Sequence, residues 1–377
     1  MKSLEIQNPW IGHRIDHTLM SFLNTEKEFD LFFSHTEVVL PEDCSKRDRV
    51  AFEVLSSETT YLKMLQSCVV TYVSPIEHYL TGLAKKCLEV IKQRISEVLN
   101  FFKSFRNIVN VNSVLLGLLK TRFANWRSSE KLGDILLAIT PFLKVYGPYS
   151  VDYHSVVEIL EVLKNDIPQF ASILTKGFDH PLAKKQTIQN LLITPVQRIP
   201  RYALLLKELV QQTPSYHIDY QLVVKAKEQI EELAKSIDDS IEQAEARKRC
   251  LLIQNKIITK WKSTNLPLES LVDPQRKFLG EAVVHQSNGF IKKKKILYLF
   301  NDMLLCTKEK NNSTKLVVEH TCFLNDLSFS HSNAVISLQL PVNRDSINYF
   351  FAGPTEKQDF LAKIQKAQSS LPLRLKQ

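Results

Sequence analysis

A chain of 377 residues with 44% hydrophobic and 24% charged side chains is long enough for two folded domains and too apolar to be disordered. Its 9 glycines exclude an architecture built on tight turns and phosphate loops, and favour long helices. The net charge of +9 is concentrated: residues 274–377 hold 15 lysines and arginines against 8 acidic residues, a pattern for a small module facing an anionic surface.

Six cysteines are scattered without a C-x-x-C pair, so reduced thiols and an intracellular setting are expected, with no metal and no cofactor. No apolar run is long enough to span a bilayer, which limits membrane contact to the periphery. Residues 1–46 form an extension with one expected amphipathic helix. It starts after Asp16 and carries Leu19, Met20, Phe22, Leu23, Phe29, Phe32 and Phe33. His13 and His17 stand four apart, but no third metal ligand lies near them.

From Arg47 to Tyr79 apolar residues recur at threes and fours (Val50, Val54, Leu55, Tyr61, Leu62, Leu65), which predicts a long helix. Further helices are expected from Leu83 to Phe105, Val109 to Trp126 and Leu132 to Tyr146, the last stopped by Gly147 and Pro148. Two more run over Val151 to Lys164 and from Pro168. Another is expected from Leu182 to Gln212, and the longest from Asp219 to Trp261, with Val223, Ala226, Ile230, Leu233 and Ile237 on one face. Residues 263–273 read as a linker. Beyond it the period changes: 278–284, 291–300, 303–307, 315–318, 335–340 and 347–351 read as strands, with Asn301-Asp302 as a hairpin turn. A closing helix from Thr355 to Gln368 buries Phe360, Leu361 and Ile364.

One stretch contradicts itself. Leu191 to Leu206 has leucines at helical spacing, yet Pro195 and Pro200 each lack an N–H. Two helices joined by a turn, or one kinked helix aiming Gln197, Arg198 and Arg201, both answer to that pattern.

Three blocks resemble the Dbl-homology (DH) domain of Rho-family guanine nucleotide exchange factors: Leu55 to Leu62, Leu132 to Asp134 with Pro141 to Tyr146, and Pro195 to Tyr202 followed by three leucines. The Ile-Pro-Arg-Tyr form of the third looks most like the subgroup that also carries a FYVE finger, which this sequence lacks. Residues 274–377, through Ile296 to Leu305 and the closing helix, resemble a pleckstrin-homology (PH) domain, with Phe360 where that family usually has tryptophan. The resemblance implies an elongated all-α helical bundle over 47–262, favours the single kinked helix, and implies a β-barrel or sandwich closed by one helix.

It also implies a function without covalent chemistry: binding the nucleotide-free state of a Rac, Cdc42 or Rho protein, which promotes GDP release. By position Glu58 would engage switch I, Arg201 switch II, and Asp238 would act from the last long helix. Gln197 and Arg198 would contact the GTPase or orient the kink. Ile193 looks Rac-compatible, Lys184 and Lys185 could serve acidic patches on Rho-type partners, and the FYVE subgroup points to Cdc42. Lys292, Lys293, Lys294 and Lys295 would make weak phosphoinositide contact, although alternate lysines on a strand face opposite ways. Such a protein would be cytoplasmic and recruited to membranes. An inactive helical scaffold with a lipid module, or a basic nucleic-acid binder, are the competing readings. For the second, the lysines lack interleaved aromatic residues.

Overall fold

The computed structural model describes residues 43–85, 89–258, 271–273, 275–288, 291–310, 314–332, 335–339 and 346–371. The expected helix at Asp16 to Phe33, with His13 and His17, lies outside them. Two compact units emerge, Met1–Ser240 and Ile241–Gln377.

The first unit is helical. Helix α1 (Lys46–Cys68) opens on a reciprocal cap: the Asp48 N–H donates to the Ser45 hydroxyl at 3.1 Å, and the Ser45 N–H donates to the Asp48 carboxylate at 2.9 Å. A π-helical turn, Val69–Val73, carries the chain directly into α2 (Ser74–Ala84). The two helices expected over 83–105 and 109–126 are one, α3 (Glu89–Ala124). Phe105, Ile108 and Val109 are all buried at the expected break and continue a single apolar stripe.

Next come α4 (Trp126–Ser129), α5 (Gly133–Ile139), a 3-10 segment (Thr140–Val145) and α6 (Tyr146–Asp166). The helix stop expected at Gly147 and Pro148 does not occur. They sit in the first turn of α6, where N–H groups have no intrahelical acceptor and proline costs little. Helix α7 (Pro168–Asp179) starts on Pro168 as expected.

The helix expected from Leu182 to Gln212 is divided into a 3-10 turn (Pro181–Ala183), α8 (Ile188–Leu192) and α9 (Thr194–Gln212). The break falls at Ile193, so Pro195 occupies the second position of α9 and only Pro200 is interior. Three buried or half-buried side chains fix this connection: the Tyr72, Ser67 and Tyr149 hydroxyls donate to the carbonyls of Gln186, Leu182 and Leu192 at 2.8, 2.6 and 2.6 Å. Helix α10 (Tyr220–Lys256) follows.

Helices α1 and α9 pack antiparallel. Arg47, at the start of α1, donates to Thr213 just past α9 at 3.2 Å, whereas Glu58 further along meets Arg198 near the start of α9. Behind them Phe101 of α3 stacks on Tyr149 of α6 with centroids 4.4 Å apart, and Leu62, Leu65, Leu206 and Leu209 fill the interior. Each such leucine is worth about 1.5–3 kcal/mol of transfer free energy. Fully buried Asp219 ties the start of α10 to the rest, accepting from Arg47 at 2.7 Å and from the Leu132 and Gly133 N–H groups at 2.8 and 3.0 Å.

Among the described residues the second unit holds seven antiparallel strands in the order β4-β3-β2-β1-β7-β6-β5. They are β1 (Phe278–Asn288), β2 (Ile291–Phe300), β3 (Met303–Glu309), β4 (Leu316–Phe323), β5 (Ser328–Ser332), β6 (Val335–Gln339) and β7 (Ser346–Phe351). Strand β5 has no counterpart among the expected strands, because Ser-Phe-Ser-His-Ser carries one apolar residue. Cys322 of β4 and Ile336 of β6 lie far apart in strand order yet share one core with Phe360, Leu361 and Ile364 of α11 (Pro354–Ser370), so the sheet curls around that helix. On the other face, Cys250 and Ile253 of α10 pack with Tyr298, Phe300 and Leu305. The Asn301-Asp302 hairpin turn is present, and Asp302 pins it by accepting from Arg276 at 2.6 Å.

Candidate functional site

The face formed by α1 and α9 has an inner and an outer layer, because residues three and four apart share a helix side. Inside, Glu58 is 0% exposed and accepts from the Arg198 guanidinium at 2.5 Å and the Tyr202 hydroxyl at 2.6 Å. Arg198 is sandwiched between the Tyr61 and Tyr202 rings, 4.7 and 4.4 Å from their centroids. Burial opposes its charge, but Tyr202 and Glu58 overcome that and hold its pKa above the ordinary guanidinium value. Burial also lifts the Glu58 carboxyl above its ordinary 4.5, while Arg198 and Tyr202 pull it back. The contacts continue through Asn112 of α3 to Tyr146 and then Tyr61.

Outside, the surface is polar with apolar interruptions at Pro200 and Leu204. Arg201 donates to Glu53 of α1 at 2.6 Å, and both side chains are 49% exposed. Gln197, Pro200 and Leu204 are exposed on the same side of α9, Leu204 to 61%. Ser56 and Thr60 extend this face along α1. A protein partner laid here would meet a separable ion pair, an amide and a leucine, which together offer directional and apolar contacts.

The RhoGEF domain pattern matches residues 50–238, half of the chain. The chain belongs to the RhoGEF domain family. "Guanine exchange factor for Rac 30" of Dictyostelium discoideum is 28% identical over 319 residues, covering 82% of this chain and 18% of its own length. Human "FYVE, RhoGEF and PH domain-containing protein 4" is 30% identical over 209 residues, covering 54% and 26%. The chain therefore spans about a quarter or less of each of these two relatives. Among solved structures, the linker-DH/PH domains of p115-RhoGEF match with a TM-score of 0.73 at 18% identity, over 87% of this chain and 98% of that one. The DH/PH fragment of PDZRHOGEF, solved in complex with human RhoA, matches at 0.69 and 15%, over 87% and 96%. These likenesses show the fold, a helical DH domain followed by a PH-type curled sheet with its C-terminal helix.

Within this RhoGEF domain the residues singled out by sequence divide. Arg201 and Gln197 are on the outer layer. Glu58 and Arg198 are not: both belong to the buried layer, so the contact with switch I expected of Glu58 cannot be made from that position. The exposed carboxylate of α1 is Glu53, which sequence reasoning passed over. A signal was present, since Glu58 falls on the apolar stripe between Val54 and Tyr61 while Glu53 falls off it. Asp238 is exposed on α10. Ile193 is half-buried at the α8/α9 break. Lys185 is exposed, donates to Asp179 at 2.6 Å and follows Lys184 in the left-handed region, at φ 59° and 49°. In the PH-type unit Lys293 and Lys294 are exposed, Lys294 pairing with Glu309 at 3.3 Å. Lys295 is buried and paired with Glu319, so it cannot serve a lipid headgroup as expected; of Lys292 only the backbone pairing with Ser287 is described.

Proposed function

We propose that the outer layer of α1 and α9 binds a Rho-family GTPase in its nucleotide-free state and so promotes GDP release and GTP loading. The exposed Glu53–Arg201 pair beside Gln197 and Leu204, backed by a buried layer, is the observation that carries this reading. Nothing here requires bond chemistry. An exchange factor need only bind the switch regions better when nucleotide and Mg²⁺ have left, and the differential affinity accelerates release. Arg201, Gln197 and Leu204 would meet switch II, and Glu53 takes the switch I role that the resemblance gave to Glu58. Asp238 would add a contact from α10, and Ile193 and Lys185 would bear on partner choice. The relatives named above include one named for Rac and one carrying FYVE, RhoGEF and PH domains, and the PDZRHOGEF structure holds RhoA.

The division proposed is 47–262 for the DH domain and 274–377 for the PH domain. The latter would make weak phosphoinositide contact through Lys292, Lys293 and Lys294, recruiting a cytoplasmic protein to a membrane surface. Residues 1–46 would restrain the GTPase face. Release of fluorescent GDP from a panel of Rac, Cdc42 and Rho proteins tests the central reading. The unsubstituted chain should accelerate release from at least one, and Arg201→Ala should lose about thirtyfold, the equivalent of about 2 kcal/mol at an interface hot spot. No acceleration across the panel would leave the scaffold reading standing.

A further inference from the structure

Asn112 lies on α3, behind the α1/α9 face, and is 0% exposed. A buried asparagine must satisfy two N–H donors and one carbonyl. Here the amide nitrogen donates to the Ile108 carbonyl at 2.7 Å and to the Tyr146 hydroxyl at 2.6 Å, and its oxygen lies 2.9 Å from the Tyr202 hydroxyl, whose one hydrogen it shares with Glu58. The Ile108 carbonyl can only accept, which fixes the way the amide points and leaves its oxygen facing Tyr202. The single Tyr202 phenolic hydrogen thus faces acceptors from two helices, the Glu58 carboxylate of α1 at 2.6 Å and the Asn112 oxygen of α3 at 2.9 Å, and is shared between them.

That double hold falls where α9 is weakest. Pro200 has no N–H, so the Val196 carbonyl loses its helical donor in the very turn that carries Gln197 and Arg201. Residues in this turn alternate in direction: Gln197 and Arg201 point out, while Arg198 and Tyr202 point in. Fixing the inward pair therefore fixes the outward pair.

We propose that Asn112 is a positioning residue for nucleotide exchange, acting through Tyr202 to hold the Pro200 turn of α9 so that it presents Gln197 and Arg201. This rests on the exchange reading above. Arg201 would contact the GTPase; Asn112 would not. A polar cluster in a core is costly unless fully satisfied, and a leucine of similar volume would fill the site without desolvating the amide. What leucine could not do is hold the phenol from the α3 side.

The test uses the full chain with Asn112→Leu and, should that variant fold poorly, Tyr202→Phe, which removes a single oxygen. Backbone hydrogen exchange is read first, without any GTPase. The amides of 198, 199 and 201–204 should exchange about tenfold faster than in the unsubstituted chain, while those at 223–230 of α10 stay unchanged. GDP release per folded molecule is read next. It should fall about tenfold, and adding Asn112→Leu to Arg201→Ala should cost clearly less than that tenfold, because part of the Asn112 effect runs through Arg201. Unchanged hydrogen exchange at 198–204, an unchanged rate per folded molecule, or additive losses in the double variant would each overturn the proposal. Absence of release by the unsubstituted chain would instead defeat the exchange reading and the assigned role with it, while the hydrogen-exchange comparison still decides whether Asn112 holds the turn.

Discussion

Glu53 and Glu58 are two glutamates five residues apart on one helix, hence about 140° apart around its axis. That angle gives them opposite fates. Glu58 compensates a buried guanidinium, and Glu58→Ala would leave Arg198 buried without its carboxylate, at a cost of about 3–5 kcal/mol read as a lower urea midpoint. Arg201→Ala breaks an exposed pair and should cost less than about 1 kcal/mol by the same measurement. Substitution at 58 would thus weaken exchange chiefly by weakening the fold, and substitution at 201 by removing a contact. Motif position alone placed Glu58 on the outer face, whereas its side chain is buried. Adding the helical stripe would have corrected it, since Val54, Glu58, Tyr61 and Leu65 fall on one line. Lys295 teaches the same lesson on a strand: period two separated it from Lys294, but only the Glu319 partner reveals why a lysine is tolerated inside.

At the scale of elements, helix and strand types were legible because the apolar period changes once, near residue 274. Breaks were less legible. Gly147 and Pro148 are ordinary stop signals, overridden because the chain had already turned through the 3-10 segment ahead of them. Pro195 does mark a true break, whereas Pro200 does not, and the difference lies in position within the first turn, which composition does not encode. Close approaches between elements were invisible for another reason: they depend on the absence of a side chain. A Cβ at Gly177 would lie 2.4 Å from the Tyr72 ring and 2.8 Å from the Thr71 carbonyl, pressing α7 off the π-helical turn. Gly177→Ala should therefore lower stability by about 1–3 kcal/mol, measurable as a fall in melting temperature. No such fall would mean that the π turn yields easily.

Across the whole molecule, acid sensitivity follows from carboxylates in both units. Burial would raise Asp48 and Asp134, but Ser45 and Trp126 around the first and Arg122 around the second hold them below their ordinary 3.8. Glu319 is likewise raised by burial and brought below 4.5 by Lys295 and Lys308. A depressed folded-state pKa contributes stability that is present above the ordinary value and is lost as pH falls below it. Melting temperature should thus hold between pH 7 and about 5 and drop below about 4; a flat profile down to pH 2 would show that these contacts contribute nothing. The basic C-terminal quarter was legible from composition, and so was the exchange-factor resemblance, but neither tells which carboxylate faces the partner.

That question is settled most directly by the GDP-release rate of Glu53→Ala on the most responsive GTPase of the panel, measured beside its melting temperature. An exposed carboxylate that engages the switch region predicts a loss of about tenfold or more with the melting temperature unchanged. Release at the unsubstituted rate would contradict the assignment of the α1/α9 outer layer as the face that drives exchange.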